Sequence, residues 1–424
     1  MTAGSSADPA DIHRALVALV RTSGRDVLAT LTRWTGDLAL AEDAVQDATL
    51  VALQTWPRDG VPDNPVAWLR LTARRRAVDL LRREIARRPK EVAAVDRPEL
   101  TDDLGEEWDD VSPSVVDDDL LRLVFTCCHP SLELDAQVAL ALRTLCGLTV
   151  AEVARALLVA EPAMAKRLVR TRQKIAAARI PYRVPPDHEL PARWAGALAT
   201  VHLMLNEGHT ATSGDDLVRQ GLVDEAIRLA RLLHRLQPDD PGAMGLLALG
   251  LLSDSRRDTR TGPDGVILLA DQDRDRWNRA HITEAVSLLA EALRRTPTTP
   301  DRYVVQAAIA ACHALAPTWE DTDWSAVVSW YDTLVGIDPS PVVRLNRAVA
   351  IGERDGADAG LRELEAVAGL DGYALRHAAR AALLRRVGRD DEAAEADAIA
   401  SMLPMSDPQR RLVSPDPAAR PANG

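Results

Sequence analysis

The chain has 424 residues, 46% of them hydrophobic, enough to bury a substantial core and to exclude a globally disordered polymer. Aromatic residues make up only 3%, with a single Phe, so closely packed Ala- and Leu-rich helices are expected and the fold class reads as all-α. A net charge of −12 excludes a chain that coats nucleic acid along its whole length, but binding depends on local patches.

Residues 11–86 read as a first helical unit, interrupted once around Trp56–Asn64, where Pro57, Pro62 and Pro65 fall. Within it, DLALAEDAVQDATLVALQTW (Asp37–Trp56) repeats Ala41, Ala44, Val45, Ala48 and Ala52 at helical spacing, a narrow small-residue face suited to close packing. Glu42, Asp43, Gln46 and Asp47 occupy other faces, and Asp37 stands at the helix start, where negative charge is favourable. The next stretch, NPVAWLRLTARRRAVDLLRR from Asn64, opens with a Pro suited to a first helical turn. Trp68, Leu71, Val78 and Leu81 are expected to face inward. Arg70, Arg74, Arg75, Arg82 and Arg83 then form a basic ridge suited to phosphates and base edges.

Charge is segregated along the chain. Val66–Lys90 holds nine basic against two acidic residues, whereas Asp96–Asp119 holds eleven acidic residues and one Arg. Residues 87–117 accordingly read as an acidic, solvated linker. A second helical unit is expected over 118–183. In it, LTVAEVARALLVAEPAMAKRLVRTRQKI (Leu148–Ile175) fits two helices joined by a tight turn, with Thr149 and Glu152 at capping-box spacing and Pro162 in the opening turn of the second helix. Val153, Ala154 and Leu157 are expected inside. Lys166, Arg167, Arg170, Arg172 and Lys174 are placed for major-groove or phosphate contact.

Pro181, Pro185, Pro186 and Pro191 mark a further boundary, and residues 190–410 read as successive helices paired across short Pro/Gly/Asp turns. Leu345-Asn-Arg-Ala-Val-Ala and His377-Ala-Ala-Arg-Ala are offset by roughly 33–34 residues, the period of a tetratricopeptide-type hairpin. Cys127-Cys128-His129 lacks a second ligand pair at zinc spacing, so its cysteines are expected in the core, and Cys312-His313 reads the same way. Glu207 and His209 imitate an acid/base pair, but no nucleophile motif or Gly-rich phosphate loop accompanies them, so neither enzyme, cofactor nor metal is expected. Asp271, Asp273, Arg274 and Arg276 read either as a binding patch or as ion pairs holding the long loop Arg256–Trp277. No basic-then-apolar leader is present and the longest apolar runs, such as Met244–Leu252, are too short for a bilayer, so a cytoplasmic protein without membrane contact is expected.

The order AEDAVQDATLVAL…W, NPVAWLRLTARRRAVDLLRR, acidic linker and helix-turn-helix resembles regions 2 and 4 of extracytoplasmic-function sigma factors of the sigma-70 family. The resemblance implies that Asp37, Glu42, Asp43, Gln46, Asp47 and Leu50 dock on the clamp helices of core RNA polymerase, with the second unit near its flap. It further implies that Asn64, Trp68, Arg70, Arg74, Arg75, Arg82 and Arg83, with the preceding loop Trp56–Asn64, engage the −10 element and capture a base flipped from the melted strand. Lys166, Arg167, Arg170, Arg172 and Lys174 would read the −35 element of promoter DNA. Arg75 stands where many members carry Asn, Leu158 where Gly is common in the turn, and Ala160 where Ser is common as N-cap. Further along, VFTCCHP (Val124–Pro130), LNEGH (Leu205–His209), DQDRDRW (Asp271–Trp277), AAIAACHA (Ala307–Ala314), DTDW (Asp321–Trp324) and LNRAVA (Leu345–Ala350) resemble the subgroup with a tetratricopeptide-like C-terminal domain. That subgroup implies a DGPF/YCII-like protein as a possible partner and a regulatory extension. The competing function is a free-standing helix-turn-helix regulator with a helical sensor domain, which would have no use for a polymerase-docking helix.

Overall fold

The computed structural model describes residues 9–87, residues 113–211 except 179, 181 and 187, and residues 218–413 except 263, 264 and 297. Most of the acidic linker, residues 88–112, lies outside the described residues. Among those described, eighteen helices and one two-stranded hairpin make up the fold, an all-α architecture as the composition requires. The chain divides into two compact units between Leu203 and Met204. No described helix is long and apolar enough to cross a membrane.

The first unit contains α1 (Pro9–Thr35), α2 (Leu38–Asp59), α3 (Pro65–Arg87), α4 (Pro113–Cys127), α5 (Leu134–Leu145), α6 (Val150–Ala156), α7 (Glu161–Ala178) and the start of α8 (Pro191–His209). Helices α1, α2 and α3 pack mutually, and α1 also packs on α4. Ala41, Ala44, Ala48 and Ala52 of α2 are fully buried, so the small-residue face performs the close packing its spacing suggests. The buried row of α3 is Leu69, Ala73, Ala77 and Leu81 rather than Trp68, Leu71 and Val78, and Leu71 is 47% exposed. Two alanines one turn apart let the backbones approach, which turns the larger side chains to the flanks. The interruption expected around Trp56–Asn64 falls in the second half of that stretch: α2 runs through Pro57 to Asp59 and stops at Gly60, whose φ of 82° ends the helix. A Pro in the last turn removes a single ladder bond, and Gly60 N–H closes the turn on Trp56 O at 2.9 Å.

The second unit comprises the end of α8, α9 (Gln220–Leu236), α10 (Pro241–Asp254), the hairpin β1 (Thr261–Gly262) and β2 (Gly265–Val266), α11 (Arg279–Arg295), α12 (Arg302–Leu315), α13 (Trp324–Ile337), α14 (Pro341–Asp355), α15 (Ala357–Glu365), α16 (Ala374–Arg386), α17 (Asp390–Met402) and α18 (Asp407–Leu412). From α9 to α17 each helix packs on its successor, and α10 packs on α12 as well. Side chains of Asp240, Asn278, Asp301, Asp323 and Ser340 cap five of these helices, each satisfying an amide that the first turn leaves free. A Cβ at Gly245 would lie 2.5 Å from the amide nitrogen of Val304, so the α10–α12 contact depends on glycine there. The α14–α15 hairpin closes equally tightly, since a Cβ at Gly360 would lie 2.7 Å from Cα of Gly352.

Candidate nucleic-acid interface

Helix α2 begins at Asp37, whose Oδ1 accepts from the amides of Ala39 (2.9 Å) and Leu40 (3.1 Å). Asp37 is therefore engaged as a cap. Asp43, Gln46 and Leu50 are exposed on one side of the helix, with Asp47 partly so. Leu50 is 54% and Leu53 40% exposed, two large apolar side chains in water within a polar surround. Glu42 points the other way. It is only 7% exposed, accepts a hydrogen bond from Thr144 Oγ1 at 3.2 Å and forms an ion pair with Arg172 at 2.8 Å. Burial pushes its carboxyl above the ordinary glutamate value, against the opposing pull of Arg172, Thr144 and Arg143.

Helix α3 starts on Asn64, whose Oδ1 accepts from Ala67 N at 3.1 Å. Trp68 meets buried Trp56 edge-on, with ring centroids 5.3 Å apart, and this pair anchors the connection between α2 and α3. Arg75, Arg82 and Arg83 are exposed, and Arg70 and Arg74 partly exposed, so a basic surface does run along the helix.

Helices α6 and α7 form the expected helix-turn-helix. Thr149 and Glu152 make both hydrogen bonds of the capping box, Glu152 N to Thr149 Oγ1 at 3.2 Å and Thr149 N to Glu152 Oε2 at 2.7 Å. Val153 and Ala154 are buried, with Leu157 partly so. The turn is closed by Val159 N–H on Ala154 O at 2.8 Å, and this requires Leu158 to take a φ of 53°. It is the one non-glycine residue with positive φ among those described, at the position where the turn favours glycine. Because Leu158 is 55% exposed, little packing is lost with its side chain. Leu158→Gly is expected to raise stability by roughly 0.5–1 kcal/mol after the added freedom of the unfolded chain is offset, read as a higher denaturation midpoint at unchanged m.

On α7, Met164, Leu168, Thr171 and Ile175 are buried. Lys166, Arg170 and Lys174 follow one another at four-residue spacing on the opposite, exposed face, together with Val169 and Gln173. Arg167 lies 3.5 Å from Asp135, and Arg172 turns away toward Glu42. Three of the five basic residues thus share one open face, and a fourth is held inside the unit.

The α1–α3 bundle and the α4–α7 segment are fastened elsewhere too. Asp119, with no exposed surface, sits between Arg33 (3.1 Å) and Arg122 (2.9 Å). The Tyr182 hydroxyl lies 2.6 Å from the carbonyl oxygen of Asp119 and 3.0 Å from that of Ala29, and Arg21 pairs with Glu152 at 2.9 Å. Most of these pairs join residues far apart in the chain, and no local pattern announces them.

Cys127 and Cys128 are fully buried as expected, and burial pushes both thiols well above their ordinary value. Glu207 pairs with Arg219 at 3.0 Å, while His209 contacts Arg256, so the apparent acid/base pair is split between two partners.

Residues 19–87 match the family model described as Sigma-70 region 2, and residues 122–175 match that described as Sigma-70, region 4. Residues 193–293 match a family of unknown function, DUF6596. A Rhizobium meliloti protein described as uncharacterized is 43% identical over 371 residues, covering 86% of each chain. None of these matches bears on a DGPF/YCII-like partner.

Proposed function

The chain belongs to the sigma-70 family, as a factor with a helical C-terminal extension, and from that premise we propose that it directs core RNA polymerase to promoters with −10 and −35 elements. The observation that carries this reading is the coexistence, in one chain, of a helix with an exposed Asp43–Gln46–Leu50 face, suited to docking, and two separate basic helices. A free-standing regulator needs one DNA-reading helix and no apolar docking face. In this reading α3 contacts the −10 strand through Arg70, Arg74, Arg75, Arg82 and Arg83, with Trp68 beside the unstacked base. Lys166, Arg170 and Lys174 of α7 address the −35 element.

The same reading treats the first unit as a closed resting form. Elements about 25 base pairs apart are about 85 Å apart at about 3.4 Å per pair, whereas a compact unit of this size has a radius of gyration of about 17 Å. The α1–α3 bundle and α7 must therefore separate to reach both elements, breaking the Glu42–Arg172 pair and releasing both side chains for polymerase and DNA. The extension acts on when that happens.

Reconstituted transcription with core polymerase of the source organism tests the proposal. Initiation is expected at discrete sites, and it should fall sharply with Lys166→Ala plus Arg170→Ala. The same pair should lower the slope of log K against log salt for −35 DNA by about 1.8, or about 0.9 for each phosphate left without its cation. No site-specific initiation with a competent core enzyme would leave the regulator reading in its place.

A further inference from the structure

The second unit contains a cluster of three arginines and two neutral histidines to which the described residues bring no carboxylate within ion-pair distance. Arg256 follows α10, Arg260 ends the short 3-10 turn after it, and Arg274 opens a second one. His209 ends α8 and His313 lies in the last turn of α12. Arg256 Nη2 is 3.0 Å from His209 Nε2. Arginine only donates, so this nitrogen accepts and the ring is the neutral Nδ1–H tautomer. Arg260, 7% exposed, donates to the carbonyl of His209 and to Thr210 Oγ1 at 3.3 Å. Arg274, also 7% exposed, donates Nη1 to the carbonyls of His313 (2.6 Å) and Ala316 (2.8 Å) and lies 5.0 Å over the Trp277 ring. Its Nη2 and the Nδ1 of His313 are buried with no hydrogen-bond partner among the described residues. The His313 ring lies nearly parallel to Trp319 at 6.0 Å and meets Trp324 edge-on at 5.3 Å.

Each group feels the charge of the next. Burial, with Arg256 and Arg274 beside it, presses the His313 imidazole down to about 4, and burial with Arg260 and Arg256 holds His209 well below its ordinary value. Burial lowers the Arg256 guanidinium to about 10, and burial together with Arg256 lowers Arg260 to about 9. Glu320 and Asp321 act on Arg274 through space without pairing with it. Other arginines of the unit are neutralised directly: Arg231 by Glu284, Arg347 by Asp332 and Glu363, Arg385 by Asp397. Neighbouring Arg257 takes both Asp254 of α10 and Asp224 of α9, and Asp258 on the turn itself is exposed and forms no ion pair with the cluster.

Guanidiniums withdrawn from water without a counter-charge are unfavourable unless an anion completes the site. We propose that Arg256, Arg260 and Arg274, with His209, His313 and Trp319, form a receptor for the phosphate group of a small phosphorylated molecule. The guanidinium fork matches tetrahedral phosphate oxygens, and three positive charges suit a dianion better than a single carboxylate. The His313–Trp319 face gives the group that carries the phosphate a flat wall to stack on. This inference goes beyond the promoter reading and does not depend on it.

The test is thermal unfolding and calorimetric titration of the full chain with inorganic phosphate, with adenosine monophosphate and with chloride at matched ionic strength. Saturable binding of phosphate or of the nucleotide is expected, with a Tm rise of roughly 5–10 °C at a hundredfold excess over Kd. Chloride should give no saturable response. Binding of the nucleotide but not of phosphate supports the site and shows that the stacked group is needed. Arg256→Gln should abolish the response and raise the Tm of the anion-free protein, because it removes an uncompensated charge, an effect a purely structural arginine would reverse. Arg256→Lys, which keeps the charge and loses the fork, should weaken binding at least tenfold. No saturable response to either probe overturns the proposal, as does a response that both variants retain.

Discussion

Asp43→Arg combined with Leu50→Asp is expected to weaken binding to core polymerase by about a hundredfold while leaving the melting temperature of the chain unchanged. Both side chains stand on the open face of α2, and Asp43 forms no ion pair among the described residues, so neither substitution disturbs the bundle. Leu50 is 54% exposed in the free chain and loses that surface only when a partner covers it. Placing a carboxylate there asks the interface to bury an unpaired charge, and reversing Asp43 sets like charge against whatever cation receives it. The two effects together come to about 3 kcal/mol, within the range of interface anchors. An anisotropy titration of labelled protein with core enzyme reads the loss, and circular dichroism checks the fold. A Kd within twofold of the parent would falsify the assignment of this face. Ala44, on the buried side of the same helix, gives the contrast: a large residue there should unfold the bundle before any binding can be measured.

How far such faces can be read from sequence depends on the range of the interactions that set them. The small-residue stripe of α2, the Thr149–Glu152 capping box and the αL turn at Leu158 are local, and residues at most a few turns apart determine them. The face of α3 was not legible in the same way. Leu81 is buried as its pattern suggests, but Trp68, Leu71 and Val78 are only the bulkier choice by hydropathy; the partner surface on α2 is built of alanines, and close approach selects Leu69, Ala73 and Ala77. Basic character alone placed Arg172 with Lys166 and Arg170, whereas their helical positions set it on the side facing α2. The cationic cluster of the second unit is harder still. Its members lie in LNEGH, in the turn after α10, in DQDRDRW, in AAIAACHA and at Trp319, and the binding patch that DQDRDRW suggests by itself contains only one of them, Arg274. His313 sits beside Cys312 and invites the same core assignment; it is indeed withdrawn from water, but its ring packs on Trp319 and Trp324 and feels the charges of Arg256 and Arg274. Only the fold brings these groups together.

The Glu42–Arg172 pair yields the second large effect, because removing one partner of a buried pair costs far more than the pair itself contributes. Arg172→Ala leaves the Glu42 carboxylate at 7% exposure with Thr144 as its hydrogen-bond donor, in a site where burial already disfavours the charged form. At neutral pH a penalty of about 2–3 kcal/mol falls on the closed arrangement alone, capped by the cost of protonating the carboxyl instead, since an opened unit returns Glu42 to water. The closed form should therefore lose roughly two orders of magnitude in population relative to the open one. Labels on α2 and α7 should report reduced energy transfer, and −35 DNA should bind more tightly at low salt even though a cation has been removed. Glu42→Arg with Arg172→Glu restores opposite charges in the same place and should recover much of the transfer signal, though not the full fit, since the longer guanidinium then starts from α2. If Arg172→Ala instead leaves energy transfer intact and weakens DNA binding by the amount of one phosphate contact, Arg172 belongs to the DNA face and the closed form is not held by this pair. The pH response separates the two cases further. The Glu42 carboxyl is raised in the closed unit and returns to its ordinary value when opened, so the closed form is the one that holds the extra proton. Acidification through that range therefore favours closure, and the advantage is lost as pH rises past the raised value. Without Arg172 the carboxyl is raised further, so acid should restore much of the energy transfer that Arg172→Ala loses at neutral pH. In Arg172→Ala combined with Glu42→Gln no charge is left to neutralise, and transfer should be recovered at neutral pH with that acid response absent.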